Sequence, residues 1–480
     1  MMHVAFDGGR SLLIDGRWEA ATATMKVVNP WSGEVLGEVA CADAGHVDRA
    51  VASAVAGAEA MRALSTGARA RILHGAAQTL ERDAERFAAA ITAETGKPIR
   101  GAAREVARAV NTLRLSAEEA TRLAGETIAF DSVPGGEARS GYYVHEPLGV
   151  IAAITPFNDP LNLICHKLGP ALGAGNAVVL KPAEQAPLVA IMLARLLLAA
   201  GLPDGALQLL TGRGRDFGDA LTGHPDVAMV SFTGGTSVGQ AITRAAGIKR
   251  LAMELGGNGP VIVMDDADIA KAADACVAGA FGAAGQNCIG VQRIYVHEAV
   301  HDAFRDALVT RVKDLRVGDP TDPATDIGPM ISAEQAERIV AWTAEAVAQG
   351  ATLLVGGERA GTLVRPTLLA NVADDARVAC HEAFGPVASL FRFTDLDAAI
   401  DAANRADYAI HAAIFTESIR HARHAARRLR VAGVMINDST DYRLDAMPFG
   451  GAGRGNMGRE GVRFAMREMS QTKVICFHDA

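Results

Sequence analysis

Cys288 stands in the run Gly285-Gln-Asn-Cys-Ile-Gly290, where small and amide residues leave its sulfur open to an approaching reactant. Sulfur is the strongest side-chain nucleophile, and carbonyl carbon is its natural target; a buried, inert core thiol is the alternative. Glu254, in Met253-Glu-Leu-Gly-Gly257, ends an apolar run. Such surroundings raise a carboxyl pKa and suit a general base near neutrality, unless the side chain reaches solvent. Asn158, in Thr155-Pro-Phe-Asn158, follows a strand that Pro156 stops. Its amide could donate to an oxyanion, or simply form a turn. Together the types amount to a nucleophile, a base and an oxyanion donor.

A second group of residues has the character of a nucleotide cradle. Lys181-Pro-Ala-Glu184 closes another apolar run, and a donor beside an acceptor there could hold ribose hydroxyls or form an exposed ion pair. Ser231-Phe-Thr-Gly234-Gly235-Thr-Ser-Val-Gly239 joins a strand to a helix. N–H groups at such a helix start face an anion, for instance a pyrophosphate. Gly453-Arg-Gly-Asn-Met-Gly458 matches a dinucleotide fingerprint in letters only, since it follows no strand and opens no βαβ unit.

The elements that must position these groups alternate. Strands are expected over 149–155, 176–180, 206–210, 228–232, 251–255 and 260–264, with helices over 188–200 and 237–246. That order indicates βαβ units and a parallel sheet with ligands at strand ends. A second set holds strands at 293–296, 412–415 and 434–436, the boundary falling near Gly256-Gly257. Before them, residues 45–124 are helical in character, and the turn residues 131–136 suit a hairpin arm.

Composition excludes several classes. The chain has 480 residues, 49% hydrophobic and 21% charged, which fits a globular protein of two or three units. A net charge of −8 argues against nucleic acid as a partner. The six cysteines, at 41, 165, 276, 288, 380 and 476, make no CxxC pair, so reduced thiols in a cytoplasm are expected, with no metal site. Met1–Arg10 lacks a leader pattern, and the apolar stretch 189–201 is too short to span a membrane.

These residues resemble the NAD(P)-dependent aldehyde dehydrogenase superfamily. The likeness is carried by Ile154-Thr-Pro-Phe-Asn, Lys181-Pro-Ala-Glu, Phe232-Thr-Gly-Gly-Thr, Met253-Glu-Leu-Gly-Gly-Asn, Gly285-Gln-Asn-Cys, Glu382-Ala-Phe-Gly-Pro and Pro448-Phe-Gly-Gly. It implies an α/β fold with a parallel-sheet dinucleotide-binding domain (1–125 and 146–255), an α/β catalytic domain (256–465) and a small β oligomerisation arm (126–145 and 466–480). By the same resemblance Cys288 is the nucleophile and Glu254 the base, while Asn158 and the Cys288 N–H hold the oxyanion; Lys167 lies near the active site. Lys181 and Glu184 would bind the adenosine ribose, and Thr233, Gly234 and Gly235 the pyrophosphate. Glu382 and Phe384 would hold the nicotinamide end, with Thr155, Pro156, Phe157 and Leu255 completing the cofactor site. The chain departs from the family at Gly235, where relatives have Ser or Ala, and at Arg454, which replaces a lysine.

The segments 436–451 and 458–466 resemble the lactaldehyde dehydrogenase-like branch. The loop holding Asp438, Thr440, Asp441, Tyr442 and Arg443 is expected to line the substrate tunnel, and Arg108 is a candidate for a substrate anion. A small hydroxylated or acid-bearing aldehyde follows, oxidised through a cysteine thioester that water releases. A phosphonoacetaldehyde- or semialdehyde-type enzyme, or a cysteine acyltransferase or esterase without redox chemistry, are the alternatives. Asn287 disfavours a doubly charged anion, because anion-specific relatives carry Arg there. The Glu184 carboxylate would repel a 2′-phosphate, which favours NAD over NADP. A homodimer or homotetramer is expected.

Overall fold

The computed structural model describes residues 11–406, 408–453 and 457–478; Met1–Arg10 and Arg454 lie outside them. Two seven-stranded sheets organise these residues. In the first, Arg250–Glu254, Val227–Thr233, Val150–Ile154, Ala177–Lys181, Leu207–Leu209, Leu12–Ile14 and Arg17–Glu19 follow one another across the sheet. The first five run parallel, and the last two add an antiparallel edge whose short strands carry little sequence signal.

The parallel strands read as unbroken apolar runs because both faces are covered. Ile151, Ala153, Val178 and Leu180 pack with helices Thr66–Arg82, Ile99–Arg122, Asn162–Ala174 and Pro187–Ala199. The alternate residues Val150, Ala152, Ala177 and Val179 pack with Ala44–Ala63 and Gly214–Gly223 on the other face. The apolar stretch 189–201 is therefore a core helix, and no helix among the described residues is long and apolar enough to cross a membrane.

The second sheet runs Thr352–Val355, Thr367–Ala370, Val387–Phe393, Val291–His297, Gly259–Val263, His411–Phe415 and Gly433–Ile436. Helices Ile269–Phe281, His301–Lys313 and Ala333–Ala348 cover one face, and Leu396–Ala403 with Ile419–Arg428 the other. The strand expected over 260–264 belongs to this sheet and not to the first, because the chain crosses over at Gly256-Gly257.

The hairpin expected around 131–136 is narrower than the flanking segments suggested, and the C-terminal segment grouped with it pairs with it. Residues 130–132 form one short 3-10 turn, and Arg139–Pro147 pairs along its whole length with the C-terminal strand Ser470–His478. The segment before the turn contributes only a bridge, Thr127 to Tyr142. The pairing joins segments of 126–145 and 466–480, the two parts that the sequence reading placed in one arm.

Candidate active site

The nucleotide-cradle residues and the candidate base share one edge of the first sheet. Register places Glu254 beside Thr233, and Ile154 beside both Phe232 and Lys181, all at the carboxyl ends of parallel strands. Such an edge is where α/β sheets bind ligands. After Glu254 the chain crosses to the amino end of Gly259–Val263. Cys288 and Glu382 likewise precede strands of the second sheet, so the two sets of groups meet end to end.

The crossing is tight. Gly257 N–H donates to Glu382 Oε1 at 3.0 Å. A Cβ at Gly256 would lie 1.8 Å from the Glu382 carboxylate, and one at Gly257 would lie 2.8 Å from the Cys288 carbonyl oxygen. Only glycines let this segment pass between the Glu382 side chain and the Cys288 backbone. Phe157 and Phe384 close the same cleft from opposite sheets, their rings edge to face at 5.9 Å. Phe384 adopts φ +46°, a left-handed backbone that is strained for an aromatic residue.

Cys288 sits on a turn that several groups hold. Gly290 N–H donates to the Asn287 carbonyl at 3.0 Å, Ile289 N–H to Asn287 Oδ1 at 3.2 Å, and Thr440 Oγ1 to the Ile289 carbonyl at 2.7 Å. Just upstream, Ala283, Ala284 and Gly285 stand in succession at φ 51°, 55° and 68°. Left-handed backbone is unfavourable by about 1–2 kcal/mol for each alanine, so the surrounding packing imposes this approach to the thiol. Burial pushes the Cys288 thiol up to about 12, helped by Glu382, Glu254 and Asp159 and opposed by Arg443. The buried thiols of Cys165 and Cys276 are also pushed up, whereas Cys288, like Cys41, is half-buried among charged groups.

Glu254 is 3% exposed, and neither carboxylate oxygen has a hydrogen-bond partner among the described residues. Burial raises its pKa well above the usual carboxylate range; Glu460 adds to the rise, while Lys167, Arg443 and Arg459 oppose it. Gly450 keeps room for it, since a Cβ there would lie 3.1 Å from Glu254 Oε1. Both oxygens are therefore left open to a molecule that enters the site.

Asn158 follows the strand Val150–Ile154 and shares a recess with Phe157, Lys97, Ala283 and Gln286, the last two belonging to the approach to Cys288. Lys167 is buried and donates to Ser231 Oγ and Glu460 Oε1, both at 3.1 Å. It therefore acts on Glu254 through the surroundings and makes no direct bond to it.

Among the residues expected to hold the cofactor, Thr155 N–H donates to the Lys181 carbonyl at 3.1 Å, and Pro156 beside it is half-buried. Lys181 Nζ donates to the Pro182 carbonyl at 3.0 Å and lies 5.9 Å from the Phe217 ring centre. Glu184 Oε1 accepts the Gly214 N–H at 2.9 Å, at the start of helix Gly214–Gly223. Each thus has a partner of its own. Helix Thr236–Ala246 begins at Gly235 with no side-chain cap, and a Cβ at Gly235 would meet nothing within 4 Å. Gly234 donates to the Glu254 carbonyl at 3.0 Å, the Thr233 hydroxyl is buried without a partner among the described residues, and Leu255 packs over Gly239. An uncapped helix start, an orphaned hydroxyl and an open surface at Gly235 suit a phosphate group.

The substrate candidates are already engaged. Arg108 donates to Asp445 at 2.8 Å and to Asp159 at 3.3 Å. Arg443 donates to Glu460 at 2.9 Å and covers the Phe449 ring at 3.7 Å. Tyr442 is 51% exposed. The loop expected as a tunnel wall is only partly one: Thr440 is fully buried and braces the nucleophile turn.

A model of the aldehyde dehydrogenase family matches residues 18–475. The chain belongs to the aldehyde dehydrogenase family. Aspartate-semialdehyde dehydrogenase 1 of Pseudomonas canavaninivorans is 51% identical over 95% of this chain and 96% of its own. The 3-sulfolactaldehyde dehydrogenase of Priestia aryabhattai is 44% identical over 97% of each. The solved NADP-dependent glyceraldehyde-3-phosphate dehydrogenase of Bacillus halodurans, complexed with NADP, is 36% identical, with a TM-score of 0.96 over 99% of this chain and 100% of that one.

Within this aldehyde dehydrogenase, sequence reasoning missed a set of charged groups. Lys97 pairs with Glu105 and Asp159, and His166 with Asp445 at 3.0 Å. Glu460 accepts from Lys167 and Arg443, which outweigh its burial and hold its carboxyl down at about 2. Asp159 follows Asn158 directly, so its place in the motif was the one available signal.

Proposed function

We propose that the enzyme oxidises a small polar aldehyde, hydroxy- or acid-bearing, to the carboxylic acid through Cys288, with NAD preferred over NADP. The observation that carries this reading is the buried, unpartnered Glu254 carboxylate within electrostatic reach of the Cys288 thiol. In it, Cys288 gives its proton to solvent as the sulfur bonds to the aldehyde carbon, and the carbonyl π pair moves onto the oxygen. The Asn158 amide and the Cys288 N–H donate to the oxygen that becomes negative. When bound, the dinucleotide supplies the acceptor for the hydride that leaves this carbon. Glu254 then takes a proton from water, whose oxygen attacks the thioester carbon; the acid departs and Cys288 recovers its proton.

The uncapped start of Thr236–Ala246, with the orphaned Thr233 hydroxyl, would hold the pyrophosphate. Lys181 and Glu184 would hold the adenosine ribose, and Glu382 the nicotinamide ribose beside Phe384. Thr155, Pro156, Phe157 and Leu255 would line the site. The negative charge of Glu184 supports NAD, because a 2′-phosphate beside it is repelled. The exposed, paired strands Arg139–Pro147 and Ser470–His478 would serve as the arm through which copies form a homodimer or homotetramer.

The test is NADH formation from a panel of small hydroxy-, keto- and acid-bearing aldehydes, with sedimentation for the oligomer. Ester hydrolysis with no reduced cofactor from any aldehyde would replace this reading with a non-redox cysteine acyltransferase or esterase. A kcat/KM for NADP equal to that for NAD would remove the role given to Glu184.

A further inference from the structure

We propose that Lys97 is a positioning residue for the oxyanion donor: its ammonium, shared between Glu105 and Asp159, fixes the segment 158–162 and so sets where the Asn158 amide stands. This rests on the role given to Asn158 above and adds what holds that amide in place.

Lys97 occupies a tightly packed junction. It follows Gly96, which ends helix Ala84–Thr95 at φ +72°, and precedes Pro98, where helix Ile99–Arg122 starts. A Cβ at Gly96 would lie 2.4 Å from Pro329 Cγ, so nothing larger than glycine fits there. Lys97 N–H donates to Thr95 Oγ1 at 3.3 Å, and the Lys97 side chain is 7% exposed. Its ammonium donates to Glu105 Oε2 and to Asp159 Oδ1.

Those two acids grip the chain just after Asn158. Glu105 Oε1 accepts the N–H groups of Leu161 and Asn162 at 2.8 and 3.2 Å, at the start of helix Asn162–Ala174, whose own N-cap residue provides no side-chain cap. The Asp159 carbonyl accepts Leu163 N–H at 3.0 Å, and Asp159 is joined directly to Asn158. Arg108 reaches the other Asp159 oxygen at 3.3 Å, but its shorter bond, at 2.8 Å, goes to Asp445. Lys97 is therefore the closer attachment of Asp159. Burial raises the Glu105 carboxyl to about 7, with Lys97 opposing the rise and Asp159 adding to it. The two acids repel each other, and the ammonium between them keeps both at the segment. Lys97 also lines the recess that holds Asn158, Ala283 and Gln286, beside the approach to Cys288. A shift of residues 158–162 would move the amide relative to the sulfur, and a displacement of about 1 Å can cost about 10²-fold in rate.

The experiment is a double-mutant cycle read by single turnover. Enzyme is held in saturating excess over the panel aldehyde that the wild type oxidises fastest, with saturating NAD. The rate constant for reduced-cofactor formation then depends neither on the fraction of folded protein nor on thioester hydrolysis. Lys97→Met is expected to lower it by about 10–100-fold, and Lys97→Arg, which keeps the charge, by less than about threefold. In an Asn158→Ala background, Lys97→Met is expected to change it by less than about twofold, because the amide that Lys97 positions is gone. An equal fall in both backgrounds, or a lower unfolding midpoint with the rate constant unchanged, would overturn the proposal. If Lys97→Met yields no folded protein, Asp159→Asn runs the same cycle, since it breaks the attachment next to Asn158 and leaves Glu105 its partner; additivity there overturns the proposal equally. A rate constant unchanged in Asn158→Ala itself removes the oxyanion role of Asn158 and this inference with it. A slowed Asn158→Ala beside an unaffected Lys97→Met removes this inference alone.

Discussion

Glu94 and Glu254 are both buried glutamates, 1% and 3% exposed, and burial raises the pKa of each. Their bonding differs completely. Glu94 accepts the N–H groups of Leu188 and Val189 at 2.6 and 2.9 Å, at the start of helix Pro187–Ala199. It satisfies two donors that the helix itself cannot. Glu254, at the end of its strand, has no partner for either oxygen among the described residues. A buried carboxylate with its lone pairs taken serves the fold. One with both left open is unfavourable for the fold, which supports the chemical role proposed for it.

The comparison can be broken by substitutions at four positions. Cys288→Ala sets the floor: aldehyde oxidation should fall by about 10⁴-fold or more, with an unchanged unfolding midpoint, since the group that Glu254 serves is gone. Activity retained in this variant would place the chemistry elsewhere. Glu254→Gln should lower kcat by about 10²–10⁴-fold while keeping a pre-steady-state burst of reduced cofactor, because only thioester hydrolysis needs the base. In the wild type, kcat should rise with pH as the raised Glu254 carboxyl ionises, and this limb should vanish in the glutamine variant. Loss of burst and turnover together, with cofactor binding intact, would remove the base assignment.

Glu94→Ala should do the opposite, lowering stability by about 3 kcal/mol in denaturant unfolding with kcat unchanged. Its pH signature has a definite sign. The folded carboxyl is raised to about 8 from an ordinary 4.5, so the native state holds a proton that the unfolded state releases. The stability this contributes is full below about pH 4.5 and is lost as pH rises through about 8. Glu94→Gln should make the fall in stability over that window shallower; an equal slope would show that Glu94 is not its source. The smallest effect is expected at Gly235→Ser, which places a capping hydroxyl at an open position: about 0.3 kcal/mol or less of stabilisation, read from the unfolding midpoint.

Much of this contrast is invisible in the chain. Glu254 looked like a base because apolar residues precede it, and the structure does bury it. Glu94 carried no such signal, since its partners lie on another helix. Arg108 showed the reverse: a helix arginine read as a candidate anion receptor is bonded to Asp159, beside Asn158, and to Asp445, from a distant loop. The parallel strands of the first sheet were legible as apolar runs because both faces are covered. The edge strands Leu12–Ile14 and Arg17–Glu19 were not, being too short for a pattern.

By itself the sequence determined the types of the reactive groups and their order, and the glycine and proline punctuation that stops each strand where a functional side chain follows. Those are local properties, set by backbone sterics and burial periodicity within a few residues. Only the tertiary structure decided that the carboxyl edge of one sheet meets the amino edge of the other, that the crossing passes between Glu382 and Cys288, and which charges are paired. Those depend on contacts between segments far apart in the chain, where electrostatic sign and exposure arise from packing that no single segment encodes.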